Sequence, residues 1–103
     1  MGHRYTVTAR FSDAAVAEEW LEWLRNGHCQ AVLDGGATRA EVLQLQATPV
    51  VREVRYDFPD PATFAHYEQH HAPALRAEGL TRFPTERGIV YGRTVGMVVA
   101  ALP

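Results

Sequence analysis

The stretch from Ser12 to Gly36, SDAAVAEEWLEWLRNGHCQAVLDGG, constrains the fold of this chain more than any other. At 100° per residue, Val16, Ala17, Trp20, Leu21, Trp23 and Leu24 fall on one arc. Glu18, Glu19, Glu22, Arg25 and Asn26 fill the opposite arc. The pattern predicts an amphipathic helix from about Asp13 to Asn26, lying on a core with both tryptophans of the chain. Ser12 or Asp13 is placed to cap its N-terminus. Gly27 interrupts the helix, and a short second piece, Cys29 to Leu33, stops at Asp34-Gly35-Gly36.

Strands flank this unit. Arg4 to Phe11 alternates, with Tyr5, Val7, Ala9 and Phe11 on one face and Arg4, Thr6, Thr8 and Arg10 on the other. Thr38 to Gln46 predicts a second strand whose alternation slips, because Ala40 and Val42 point one way and Leu43 and Leu45 the other. The slip implies a bulge, or two partly covered faces. Val50 to Phe58 is a third strand, with Val50, Val54, Tyr56 and Phe58 on its apolar face and Arg52 as the exception. Asp60 then caps a second helix, with Pro61 at its first position. Its apolar arc gathers Phe64, Tyr67, Ala74 and Leu75, and Pro73 breaks it because proline lacks the N–H and clashes with the preceding turn. Ile89 to Leu102 reads as a long last strand that is apolar on both faces.

The order is β-α-β-β-α-β in a single α+β domain, residues 1–103. Right-handed crossovers turn it into a ferredoxin-like, four-stranded antiparallel sheet with two kinked helices on one face. Helices on one face leave the other open, and a two-faced apolar edge strand would invite association. A homodimer through the sheets is therefore expected.

Composition narrows the function classes. Net charge is −2 with both signs interspersed and no basic run, which argues against nucleic acid or an anionic membrane surface as partner. No apolar run approaches the ~20 residues that span a bilayer, and the N-terminus lacks the apolar core of a signal peptide. Cys29 is the single cysteine, so neither an internal disulfide nor a cysteine-rich metal site can form. A reduced, cytoplasmic protein is the simplest reading. GxGxxG, GxxxxGK and GxSxG are all absent, so no nucleotide loop or nucleophile elbow is signalled and no cofactor is expected.

The histidines carry what functional signal there is. Leu24, His28 and Val32 are spaced by four, as are Tyr67, His71 and Leu75, and each histidine sits at a helix interruption. His71 falls between Phe64 and Tyr67 on the helical wheel, and His28 at the edge of the Trp20/Leu24 arc. An inward histidine at a helix break serves as a general base, as a donor that grips a ligand, or as a core residue bonded to a freed carbonyl. Burial would keep His71 neutral. His66 and His70 have metal-binding i, i+4 spacing but point to the polar side, and no third ligand stands at recognisable spacing, so no metal is expected. Arg4, Arg10, Glu53, Arg55 and Asp57 lie on strand faces away from the helices and suit a layer of cross-strand charge pairs.

EEWLEWLRNGHCQAVLDGG (Glu18 to Gly36), YEQHHAPALRAE (Tyr67 to Glu78) and TRF (Thr81 to Phe83) together resemble an uncharacterised bacterial family known only as a domain of unknown function. That family in turn resembles the dimeric α/β-barrel proteins. The most specific parts are E-x-W-L-x-W before His28 and H-A-P-x-L from His71 to Leu75. The resemblance implies a ferredoxin-like fold and a homodimer with packed sheets, and assigns no activity. Family members tend to have proline two residues after the first histidine; here that position is Gln30, while Pro73 follows His71. The broader group includes small monooxygenases, decarboxylases, isomerase-like enzymes, haem-degrading enzymes and non-catalytic ligand binders, and fold alone does not choose among them.

Two functional classes follow. The first is a small-ligand protein with a cleft between helices and sheet, lined by Tyr5, Trp20, Leu24, His28, Phe64, Tyr67 and His71. Its enzymatic form is a cofactor-independent enzyme, monooxygenase- or isomerase-like, using His71 and His28. The second is a structural or regulatory dimer whose histidines only cap kinked helices. An open cavity reached by the imidazoles separates the first from the second, in which each ring bonds a backbone carbonyl within a filled core.

Overall fold

Alternation in the two central strands decides the architecture. The computed structural model describes residues 2–103. β1 (His3–Phe11) lies at the centre of the sheet, antiparallel to β3 (Val50–Phe58) on one side and to β4 (Ile89–Met97) on the other. β2 (Arg39–Gln44) pairs antiparallel with β3 and completes the order β2-β3-β1-β4. Tyr5, Ala9 and Phe11 from β1 and Val54, Tyr56 and Phe58 from β3 are buried on one face, and all the helices pack there. This is the ferredoxin-like βαββαβ arrangement.

The first helical unit is broken. α1 (Ala14–Trp23) starts at Asp13, whose side chain accepts a hydrogen bond from the Ala15 N–H at 2.8 Å. Val16, Ala17 and Trp20 are its buried residues. The chain then widens into a π turn, Leu24–His28, with Gly27 at φ 145°, before α2 (Cys29–Asp34) resumes. A residue with a Cβ rarely adopts that φ, so glycine is what makes the break possible. The second unit repeats the design. α3 (Pro61–His70) begins at Asp60, which accepts from the Thr63 N–H at 2.7 Å. It stops at His71, and α4 (Ala72–Arg82) restarts with Pro73 in its first turn, where the missing N–H costs nothing.

Three expectations need correction. The last strand ends at Met97, not Leu102. Among the described residues its only neighbour is β1, which begins at His3 opposite Met97, so beyond Val98, whose N–H reaches the Gly2 carbonyl at 2.8 Å, the backbone has no described partner strand. β2 is shorter than Thr38 to Gln46 and contains no bulge: its register with β3 is regular from Arg39↔Asp57 to Gln44↔Arg52. The slipped alternation reflects two half-covered faces, with Ala40, Val42, Leu43 and Leu45 all half-buried. In α4, Ala72 is buried and Ala74 exposed. A wheel carried unbroken through His71 reverses those two, because the restart at the proline shifts the helical phase.

Arg52, the charged exception on the apolar face of β3, is buried and ties α1 to the sheet. Its guanidinium donates to the Ala17 carbonyl at 2.6 Å, to Glu18 at 2.6 Å and to Gln44 at 2.9 Å. On the open face Arg4 pairs with Asp57 across the strands at 2.8 Å, and along β3 Arg55 pairs with Glu53 at 3.4 Å. No helix of the described residues is long and apolar enough to cross a membrane.

Candidate functional site

The core is not filled everywhere. Between α1, α4 and the sheet lies a cavity of ≈ 60 Å³. Five of the residues singled out from sequence line it: Tyr5, Trp20, Leu24, His28 and Tyr67. Phe64 and His71 do not. Phe64 packs edge-on against Phe58, with centroids 5.1 Å apart, at the far end of the core. His71 is only half-buried, stacked beside Tyr67 and near His66 (5.8 Å), so the burial argument made for it does not apply there. His28 is half-buried as well, but its Nδ1 is enclosed.

Sequence reasoning missed Trp23, Tyr56, Leu75, Arg76, Tyr91 and Arg93 in the lining. Tyr56 and Arg93 were legible: each keeps the alternation of its strand, Tyr56 with Val54 and Arg93 with Tyr91. Arg76 was hidden by the phase shift at His71, one turn after the buried Ala72.

The polar equipment is concentrated. Tyr5 stacks beside Tyr56 at 5.9 Å and sits 6.3 Å from Tyr67. Burial raises the pKa of Tyr56 and of Tyr67 well above the ordinary phenol value, so both remain protonated donors at neutral pH. The Cys29 thiol lies 3.8 Å from the Tyr56 hydroxyl, and burial pushes its pKa up, which makes it unreactive. The Arg76 guanidinium donates to the Tyr5 hydroxyl at 3.3 Å and pairs with Glu68. Burial opposes its charge, but the bonds to Tyr5 and Glu68 outweigh that and raise its pKa.

His28 occupies the wall. Its imidazole lies on Trp23, and both also face a surface groove of ≈ 630 Å³ rimmed by Glu18, Glu19, Glu22 and Glu78. Burial lowers the His28 pKa to about 4, against a smaller opposing pull from the Glu78 carboxylate. The ring is neutral at pH 7, and its Nδ1 is buried without a hydrogen-bond partner. Neither His28 nor His71 bonds a backbone carbonyl among the described residues. His66 and His70 lie 4.5 Å apart on the exposed side of α3, and no group of three or more histidine, cysteine or carboxylate side chains among the described residues is placed to hold a metal ion.

The family described as Domain of unknown function (DUF4286) matches residues 4–95. The chain belongs to this family. No curated protein matches it. Among solved structures, it is similar to a dimeric ferredoxin-like protein from an uncultured marine organism, with TM-score 0.72, 15% identity and 98% of both chains covered. It is also similar to SnoaB, a cofactor-independent oxygenase from Streptomyces nogalater, with TM-score 0.72, 11% identity and 99% and 97% of the two chains covered. HapK from Hahella chejuensis gives TM-score 0.67 at 19% identity, covering 98% of this chain and 96% of its own. Likeness at these identities establishes the shared fold.

Proposed function

We propose that this DUF4286 member is a homodimeric small-ligand-binding protein whose ligand occupies the cavity between α1, α4 and the sheet. The observation that carries the reading is a space left open inside an otherwise close-packed core, walled by aromatic rings and reached by tyrosine hydroxyls, His28 and Arg76. Unfilled volume inside a core costs stability, and an apolar pocket with a few convergent polar groups is the usual form of a ligand site. The site residues are Tyr5, Trp20, Leu24, His28 and Tyr67 with Tyr56 and Arg76. The homodimer rests on the exposed apolar residues of β4 and the open sheet face, and the marine ferredoxin-like relative is described as dimeric.

A thermal-shift screen of small metabolites tests this, since a ligand that binds only the folded state raises the melting temperature. A hit should quench Trp20 or Trp23 fluorescence. Tyr67→Leu should weaken that binding, and His71→Ala, outside the cavity, should leave it intact. A hit that survives Tyr67→Leu and is lost in His71→Ala would move the site elsewhere.

The state of His28 favours an enzymatic form of the same reading. The neutral imidazole and the protonated Tyr56 and Tyr67 hydroxyls line one cavity, so a bound acid would meet a nitrogen acceptor and hydroxyl donors there. SnoaB is described as a cofactor-independent oxygenase, which shows that this fold hosts chemistry without a cofactor. For a catalytic base, His28→Gln should retain binding and lose turnover.

A further inference from the structure

Resting on that reading of the cavity, we infer that its ligand is a small aromatic carboxylate, with the ring in the cleft and the carboxylate at the mouth between Arg76 and Arg93. Size comes first. A volume of ≈ 60 Å³ holds about four waters at roughly 15 Å³ each, less space than a whole substituted ring requires. A ligand seated there must extend through the open end. That end is marked by the exposed lining residues, Leu80 on α4 and Arg93 on β4.

Charge comes second. The chain has no lysine, and its basic residues are ten arginines. Among the described residues eight of them are ion-paired; the exceptions are Arg10 and Arg93. Arg10 lies opposite Val51 and Val90 on the open sheet face. Arg93 lies opposite Val7, on the face that carries the helices, and lines the cavity with no acidic partner. Arg76, on the α4 side of the same cavity, is half satisfied: one terminal nitrogen serves Glu68 and Tyr5, while its Nε is buried and has no acceptor. A buried donor without an acceptor is a costly feature, and a carboxylate oxygen would remove it. Both arginines line the same cavity as Tyr67.

The wall chemistry selects the rest of the ligand. Tyr5, Trp20, Trp23 and Tyr67 present ring faces and edges, which suit an aromatic body. Inorganic phosphate would leave the aromatic wall without a partner.

The test uses three probes at pH 7, with binding read by calorimetry: benzoate, its neutral isostere benzamide, and inorganic phosphate. Wild-type protein should bind benzoate about tenfold or more tightly than benzamide, the factor expected for one charge-assisted contact, and should not bind phosphate. Arg93→Gln should weaken benzoate binding more than benzamide binding and so remove most of that preference. Because Arg76 is tied to Glu68, Arg76→Gln is read only after its circular dichroism matches the wild type; Arg93, exposed and unpaired, carries the test if it does not. Equal affinity for benzoate and benzamide overturns the carboxylate and leaves the cavity reading standing. A benzoate preference unchanged in Arg93→Gln overturns the arginine assignment, and phosphate binding tighter than benzoate overturns the ligand class. If neither aromatic probe binds, the aromatic carboxylate is overturned, while the cavity reading is decided separately by the metabolite screen.

Discussion

The imidazole of His28 lies almost flat on the indole of Trp23, with centroids 4.0 Å apart and an interplanar angle of 21°. This stack is the wall that the outer groove and the inner cavity share. Gly79 makes room for it, since a Cβ there would come within 3.2 Å of the indole. Packing against an indole and out of solvent is what removes the charge from the ring.

The first prediction follows from that lost charge. In the folded chain the His28 pKa is about 4, against an ordinary value of 6.5 in the unfolded chain. Between those values the unfolded state binds the proton and the folded state does not. Stability from this residue is therefore fully present above pH 6.5 and is lost as pH falls toward 4. The full difference corresponds to about 3 kcal/mol. Denaturant midpoints measured from pH 7 to pH 4 should fall less steeply in His28→Gln than in the wild type. Equal slopes would mean that the imidazole is solvated.

Trp20 provides the second prediction. Its side chain is buried, with its ring 5.4 Å from Phe11 at the α1–sheet contact. Trp20→Ala should cost about 3–5 kcal/mol, as aromatic truncations in cores do. Glu22 is exposed and bonds only Arg25 and Asn26 on its own helix, so Glu22→Ala should stay within about 0.5 kcal/mol. The reverse order in urea unfolding would contradict the orientation of α1.

Much of this was legible in the residues, because period-2 and period-3.6 patterns report which face is buried. The order of strands and helices along the chain, a cap at Ser12 or Asp13 and another at Asp60, and the breaks near Gly27 and Pro73 all follow from local chemistry. The site was harder to read. A helical wheel has no memory of a break: carried unbroken through His71 it misplaces α4 relative to α3 and leaves Arg76 off the buried face. The depth of His28 depends on Trp23 and on α4 crossing over it, and neither is a local property. Arg52 shows the same limit from the other side: a charge that spoils an alternation is indistinguishable from a strand error until its partners on α1 are placed.

Those partners give the third prediction. Arg52→Ala removes the donors that hold the Ala17 carbonyl, Glu18 and Gln44, and leaves a void between α1 and β3. A loss of about 2–4 kcal/mol is expected, since bonds to a buried charged group exceed ordinary ones. Arg25→Ala breaks a pair on the exposed helix face and should change little, within about 0.5 kcal/mol. Thermal melts of the two variants side by side check the contrast.

The fourth prediction is a dimer. Val90, Val95, Met97, Val99 and Leu102 are exposed, and all belong to β4 or the chain after it. β4 is an edge strand, so one side of its backbone pairs with β1 and the other is free. On the open face of the same strand Gly92 and Gly96 present no side chain, and nothing lies within 4 Å of where a Cβ would stand. That smooth strip beside Val90 lets another backbone approach closely, and the charges Arg4–Asp57 and Arg55–Glu53 on this face are paired, with Arg10 beside Val90 unpaired among the described residues. Covering this surface with an identical one buries Val90 at about 25 cal/mol per Å² of apolar area and shields the free edge. Light scattering at micromolar concentration should report twice the 11.5 kDa of a single chain. Val90→Glu places a charge on the strip and should shift the population toward monomer without unfolding it, because Val90 is already exposed in the isolated protomer. A wild-type mass of one chain would show that β4 and its apolar continuation stay uncovered in solution.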